Sequence, residues 1–328
     1  MTILVTGGAG YIGSHMVHEL IDAGEQVIVL DNLSTGFRYL LPDRVPLVVG
    51  STGDRDLLAQ VIATHRIESI IHFAASIVVP DSVRDPLGYY RNNTMNTSVL
   101  LDAAVQGGVK HVIFSSTAAV YGNPEHSPVK ETDATAPISP YGTSKLMSEI
   151  MLHDTAKAHG LRFVALRYFN VAGADPLGRT GQSTAGATHL IKVAVEAATG
   201  KRDHVSVFGT DFPTPDGTGV RDYIHVSDLA AAHVHALDRL IAEPTESLTM
   251  NAGYGHGYSV MQVLDAVDRV TNHEIKRVIG PRRLGDSAEL VSDNRRILST
   301  LPWRPQYDDL DQIVRDALAW ERKLAERG

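Results

Sequence analysis

The sequence predicts an α/β protein: a doubly wound parallel sheet with a smaller C-terminal substrate-binding lobe. Three observations carry this. Short β-branched runs alternate with helix-length segments through the first half, a glycine cluster follows the first run directly, and from about Val171 the pattern changes to glycine- and proline-rich loops.

The runs are Ile3 to Val5, Val27 to Leu30, Val45 to Val49, Ser69 to Phe73, His111 to Ser115 and Phe163 to Leu166. Strands separated by helices join through right-handed crossovers and pair in parallel, with both faces of the sheet covered. Residues 1–170 are thus expected to form a dinucleotide-binding domain and residues 171–328 mainly the substrate lobe, with a return of the chain to the first domain around 220–240. The loops Ala174 to Gly186 and Gly209 to Gly219 are long for a compact protein, which marks them as functional candidates. Ile313, Ala317, Trp320 and Leu324 recur at helical spacing, so Leu310 to Leu324 reads as a closing amphipathic helix.

Composition narrows the class. With 328 residues, 43% hydrophobic and 21% charged, the chain suits one substantial domain plus a lobe. A net charge of −8 argues against a nucleic-acid partner, which would need a basic face. No cysteine is present, so disulfide and thiolate chemistry are excluded, cytoplasmic residence is the default, and any redox step needs a bound cofactor. There is no basic leader and no apolar run near the roughly 18 residues of a membrane span, so neither export nor a membrane partner is expected. No metal site is expected either.

Gly7, Gly10 and Gly13 lie between the first strand and a helix whose apolar face carries Ile12, Met16 and Leu20. Glycines there permit a tight turn and close approach of backbone N–H groups to a pyrophosphate at the helix N-terminus. Asp31 follows the second strand, 18 residues after Gly13, where an acid can bind the adenosine ribose hydroxyls. The plainer reading of Asp31 is a turn cap with Asn32. Asp31 would repel a 2′-phosphate and the nearest arginine is Arg38, so NAD is favoured over NADP.

Tyr141 and Lys145 are four apart in Tyr-Gly-Thr-Ser-Lys and share a face if the segment is helical. An ammonium beside a phenol favours the phenolate, which would bring the tyrosine toward neutrality as a general base. Ser115-Ser116-Thr117 ends a predicted strand and sets a hydroxyl, Thr117, at the carboxyl edge of the sheet, where ligands bind in such folds. The bland alternatives are an exposed helical pair and a strand-end hydroxyl bonded to backbone.

Taken together these residues resemble the extended short-chain dehydrogenase/reductase superfamily. Four further runs resemble its UDP-glucose 4-epimerases: Thr6 to His15, Tyr89 to Asn93, Arg167 to Val171 and Asp216 to Val226. The likeness runs from the first strand to about residue 325. It implies a Rossmann domain, a tightly held NAD and inversion of C4 of a UDP-hexose: hydride passes to NAD, the 4-keto sugar rotates, and hydride returns to its other face. It implies Tyr141 as base, Lys145 as the group that tunes it and holds the nicotinamide ribose, and Thr117 as its hydroxyl partner. Around NAD the matching positions are Gly7, Gly10, Tyr11, Ile12, Gly13, Asp31, Asn32, Ser51, Thr52, Phe73, Ala74, Ala75, Asn92, Ser115 and Phe169. Asn170, His189 and Phe208 would contact the nucleotide-sugar, Arg221 and Arg283 clamp its diphosphate, and Asp286 touch the uridine ribose, with Leu190, Val207, Tyr223 and Leu290 completing the wall.

The chain departs from these relatives in places. Ser51 stands where they have an acid for the adenine amine, with Asp54 as the possible substitute, and Ile77 stands where many have a lysine. Leu290 is smaller than the bulky residue of some relatives, which leaves room for N-acetylated hexoses. The resemblance also implies a homodimer through helices near 88–107 and 143–159. Dehydratases of the superfamily follow the catalytic hydroxyl with Asp-Glu, whereas Ala118-Ala119 follow Thr117 here. A non-catalytic NAD-sensing regulator is the alternative from another class, since a fold alone does not fix an activity.

Overall fold

The computed structural model describes residues 1–243, 247–283 and 286–327. Seven strands form one parallel sheet, in the order Leu248–Ala252, Arg162–Tyr168, His111–Thr117, Ser69–His72, Thr2–Thr6, Gln26–Asp31, Leu47–Val49. All six adjacent pairs are parallel, and the strand order reverses between Thr2–Thr6 and Ser69–His72. A crevice opens at the carboxyl ends of the strands at such a switch point.

Strand periodicity sorts the core into two layers. Ile3, Val5, Val27, Val29, Ile71, Ile113, Val164 and Leu166 face one layer, with Met16, Leu20, Leu229 and Ala236 of the helices Tyr11–Asp22 and Val226–Ala242. Leu4, Ile28, Leu30, Ile70, Val112, Phe114 and Phe163 face the other, with Leu58, Val61, Leu100, Leu101 and Leu152 of the helices Arg55–His65, Asn96–Gln106 and Pro140–His159. Both faces are buried, which is why these strands read as near-continuous apolar runs.

The third predicted strand begins only at Leu47, because Pro46 has no N–H to give a ladder and supplies just its carbonyl, to Val29 N at 2.9 Å. The helix ahead of Asn96 widens to a π-helical turn over Tyr90–Met95. The seventh strand and the helix Val226–Ala242, which packs on strands His111–Thr117 and Arg162–Tyr168, come from the second half of the chain, so the return reaches Ala252.

Outside this sheet, short strands pair locally: Asn170–Ala172 with Tyr223–His225, Val205–Phe208 with Arg277–Gly280, and Val220–Arg221 between Tyr258–Ser259 and Glu289–Leu290. The helices Leu190–Ala198, Val260–Thr271 and Leu310–Ala325 pack on one another. The last is the predicted closing helix; Asp309 caps it by accepting from Gln312 N at 2.7 Å, and Ile313, Leu318 and Trp320 are buried.

Candidate active site

One cleft of about 690 Å³ runs along the switch point, between the carboxyl ends of the strands and the second lobe. Its volume lies within the usual range of ligand sites.

The glycine turn forms one end. Gly7 has φ +70°, and a Cβ there would lie 2.6 Å from Ala74 N; a Cβ on Gly13 would lie 2.1 Å from the Gly7 carbonyl oxygen. The glycines are therefore required by close backbone packing, and they leave the first turn of helix Tyr11–Asp22 facing the cleft. Asp31 is buried beside it, with Oδ2 accepting from Ala9 N at 2.9 Å and Oδ1 from Leu33 N at 2.8 Å. Its carboxylate thus holds the glycine loop and caps the turn while also lining the cleft. A bare cradle at a helix N-terminus with an acid at the next strand end fits a dinucleotide.

The first turn is also tied to the second lobe. Tyr11 OH donates to the Gly173 carbonyl at 2.7 Å, and the Ser14 and Thr180 hydroxyls share a hydrogen bond of 2.6 Å.

At the cleft centre helix Pro140–His159 lies against strand His111–Thr117. Ser139 caps the helix by accepting from Gly142 N at 3.2 Å, and Pro140 opens it, so Tyr141 and Lys145 fall in its first two turns. Tyr141 bonds to Thr117, and Lys145 Nζ donates to the Ser115 carbonyl at 2.8 Å while lying 4.9 Å from the centre of the Phe114 ring. The π-helical turn brings Asn92 and Asn93 to the same region: Asn92 Nδ2 donates to Ser76 Oγ at 2.9 Å, and Asn93 joins Ser76 to Ser144.

The sequence expectation for the tyrosine needs correction. Burial pushes the Tyr141 phenol up to about 12, opposed only by the Thr117 hydrogen bond, and pushes the Lys145 amine down to about 7, opposed by the Glu149 carboxylate. Desolvation outweighs the proximity of the two groups, because each loses water and the lysine nitrogen is engaged with a carbonyl. In the protein alone the phenol is held neutral.

Every residue expected around the cofactor, Gly7, Gly10, Tyr11, Ile12, Gly13, Asp31, Asn32, Ser51, Thr52, Phe73, Ala74, Ala75, Asn92, Ser115, Tyr141, Lys145 and Phe169, lines this cleft. So do Thr117, Asn170, His189, Arg221, Asp286 and Leu290 of the substrate set. His189 accepts from Gln182 Nε2 at Nδ1, 2.7 Å away, and burial lowers its pKa, so it is neutral with its proton on Nε2. Arg221 is largely buried, and burial lowers its pKa against the pull of Asp286, so an anion would be welcome beside it.

Five expected substrate residues lie off the cleft wall. Leu190 and Tyr223 line a small neighbouring cavity, and Val207 is wholly buried in the second lobe. Phe208 is exposed under the Arg283 guanidinium, 4.8 Å from its ring centre, and Arg283 pairs with Asp286 at 2.9 Å from outside the wall. Asp54 lies off the cleft wall and caps helix Arg55–His65 by accepting from Leu57 N at 3.0 Å. The Ser51 hydroxyl accepts from Gly53 N at 3.1 Å, and Ile77 lines the cleft half-exposed.

Sequence reasoning missed Tyr168, whose hydroxyl bonds to Ser115, as well as Gln182, Ile138, Ser34, Thr35 and the run Thr184 to Thr188, all of which line the cleft. Of these, Gln182 and Thr184 to Gly186 carried a signal as part of the glycine-rich loop Ala174 to Gly186, and Tyr168 as part of the run Arg167 to Val171. The second such loop, 209–219, does not reach the wall.

Comparison with known proteins agrees with this geometry. The model of the NAD dependent epimerase/dehydratase family matches residues 3–253. A protein of Azospirillum brasilense named UDP-glucose 4-epimerase is 56% identical over 98% of this chain and 92% of its own. The crystal structure of the Brucella ovis UDP-glucose 4-epimerase in complex with NAD superposes with a TM-score of 0.94 at 43% identity, covering 97% of both chains. That of the Bifidobacterium longum UDP-glucose 4-epimerase with NAD+ and UDP superposes with a TM-score of 0.93 at 39% identity, covering 98% of each.

Proposed function

Because this chain belongs to the NAD dependent epimerase/dehydratase family, we propose that it binds NAD and inverts C4 of a UDP-hexose, interconverting UDP-galactose and UDP-glucose. One observation carries the reading: the glycine cradle, the Tyr141–Thr117–Lys145 cluster and Arg221 with Asp286 all face a single cleft.

When bound, NAD supplies the hydride acceptor for C4 and a positive ring near the phenol. The chain's own residues manage the proton. Tyr141 takes it from the sugar 4-hydroxyl, Thr117 keeps the phenol oriented, and the Lys145 ammonium lowers the cost of the phenolate. Tyr141 is only 8% exposed, which shields this proton from bulk water. After inversion Tyr141 returns the proton to the 4-oxygen. Arg221 holds the diphosphate, and Gln182 fixes the tautomer with which His189 donates toward the nucleotide-sugar. Ala118 and Ala119 line the cleft beside Thr117 and offer neither acid nor base for water elimination, which favours epimerisation over the dehydratase reading.

Leu290 faces the cleft together with Phe169 and Ala118, which supports acceptance of N-acetylated hexoses as well. A homodimer is supported by exposed apolar side chains on neighbouring helices: Val83, Leu87, Met95, Met147 and Ile150. Among the described residues no helix is long and apolar enough to cross a membrane, and we place the protein in the cytoplasm.

Proton NMR of the protein mixed with UDP-galactose, before and after addition of NAD, tests the reading. UDP-glucose anomeric signals are expected, and the same assay with UDP-N-acetylglucosamine should yield UDP-N-acetylgalactosamine. Failure of every UDP-sugar to change despite NAD binding would leave the regulator.

A further inference from the structure

Beneath the Tyr141–Lys145 pair lies a buried ionic network that the chemistry above does not use. Glu149 follows Lys145 by one helical turn and is 3% exposed. Its carboxylate accepts from Arg167 Nε at 3.0 Å and Arg167 Nη2 at 2.6 Å, and from the Ser116 hydroxyl. Arg167 Nη1 continues to Tyr121 OH at 3.1 Å, and that hydroxyl donates to Asn251 Oδ1 at 2.7 Å.

The sheet register explains the arrangement. Ser116 and Arg167 are partners on adjacent parallel strands and so project to the same face, the one covered by helix Pro140–His159. The next residues, Thr117 and Tyr168, are also partners, and both line the cleft. One register step thus separates the ion pair from the groups that face substrate.

We propose that Glu149, held by Arg167 and Ser116, is the positioning residue that keeps Lys145 charged for its work on Tyr141. The proposal rests on the reading of Lys145 given above.

The physical case is one of compensation. Lys145 is 3% exposed, and a buried ammonium needs partners to stay protonated. From the strand it meets a carbonyl, that of Ser115, and the Phe114 ring; neither carries a formal charge. His72 packs on the same ring, its pKa pushed down to about 3 by burial and then by Lys145, so it is neutral. Tyr141, one turn earlier, and Tyr168, across the strand, are both held neutral by burial. Glu149 supplies the opposing charge, raising the amine where burial lowers it. Arg167 grips that carboxylate through two nitrogens and gives its remaining one to Tyr121 OH. The link is electrostatic and passes along the helix, so removing the carboxylate should lower the Lys145 midpoint even when Arg167 is removed with it and the space refilled.

The sign follows directly. A base whose pKa falls is lost as cation at lower pH, so weakening Glu149 moves the alkaline limit of activity down. The experiment measures the Lys145 amine itself by nitrogen-15 NMR of lysine-labelled protein, the resonance assigned by its loss in Lys145→Arg. Wild type, Glu149→Gln and Glu149→Gln/Arg167→Met are compared, the double variant because an unpaired Arg167 could prevent folding. We expect the Lys145 midpoint to fall by at least one pH unit in both variants, and the alkaline limb of kcat to move with it. An unchanged Lys145 midpoint in the folded double variant overturns the proposal, as does a uniform loss of activity with an unmoved limb, which is the mark of a packing role. Absence of epimerase activity in wild type, with a Lys145 midpoint that still follows Glu149, would refute the substrate reading and leave the charge linkage standing.

Discussion

Replacing Gly13 by alanine tests whether the glycine turn is a cradle shaped by backbone contact. The added Cβ would lie 2.1 Å from the Gly7 carbonyl oxygen, against an ordinary contact of about 3.4 Å, so the helix start and the turn must separate by roughly 1.3 Å. Gly7 O cannot retreat freely, because it accepts from Gly10 N at 3.1 Å and closes the turn. Alanine is a better helix former than glycine by about 1 kcal/mol, but the clash is with backbone that cannot swing aside, so the fold should lose stability despite that gain. The ligand loses as well. Backbone donors displaced by about 1 Å lose charge-assisted bonds worth about 1.5–3 kcal/mol each, so NAD should bind on the order of 100-fold more weakly. Calorimetric titration of nucleotide-free protein measures this directly. Gly24→Ala is the control: φ is +83° with nothing near the added carbon, so it should cost about 1–2 kcal/mol of backbone strain and leave NAD affinity unchanged. NAD affinity within threefold of the parent in a folded Gly13→Ala protein would refute the close-approach argument.

Tyr141→Phe should lower turnover by at least about 100-fold while NAD titration is unaltered; undiminished turnover would remove the phenol from the mechanism. Three buried histidines set an acid limit. Burial pushes His15 and His72 down to about 3 and His233 to about 4, so unfolding takes up protons below the ordinary value of 6.5. Stability is therefore full above that value and falls as the pH drops, with a slope near pH 5 on the order of 4 kcal/mol per pH unit if all three titrate; urea unfolding at pH 7.5, 6 and 5 should reveal it, and a flat series would contradict it. Leu87→Arg with Met147→Arg should convert the proposed dimer to monomer in sedimentation velocity at unchanged helix content, whereas an unaltered mass would move the interface elsewhere.

Much of the sheet was legible because its strands are buried on both faces and read as apolar runs, as in Ile3 to Val5 and Phe163 to Leu166. The seventh strand was not, since Leu248–Ala252 carries Asn251, whose amide is satisfied by Val129 O at 2.8 Å. A polar residue in a buried strand breaks the pattern on which such readings depend. The cofactor wall was readable from glycine spacing and Asp31, because those features follow from backbone geometry along a local stretch. The substrate wall was harder. Leu190 adjoins His189 in sequence, but the helix start directs its side chain to the neighbouring cavity, which Tyr223 also lines, and Val207 packs inside the second lobe. Gln182 and Tyr168 lie within segments the sequence marks, but their individual places depend on tertiary contacts to His189 and Ser115. The protonation states escaped for a related reason: Tyr141 beside Lys145 suggests mutual ionisation, and only burial decides against it.

The late return of the chain bears on how the protein can be divided. A fragment ending at residue 170 would keep the glycine cradle, Asp31, Tyr141 and Lys145, yet strand Arg162–Tyr168 would become an open edge with one row of backbone groups unpaired. Helix Val226–Ala242 would be missing from the face carrying Val164 and Leu166, both fully buried in the whole chain. Such an edge is a template for self-association. Synthesis runs from the N-terminus, so a nascent chain bears this same edge until residue 252 is made, and the first half must wait or be shielded before it can settle.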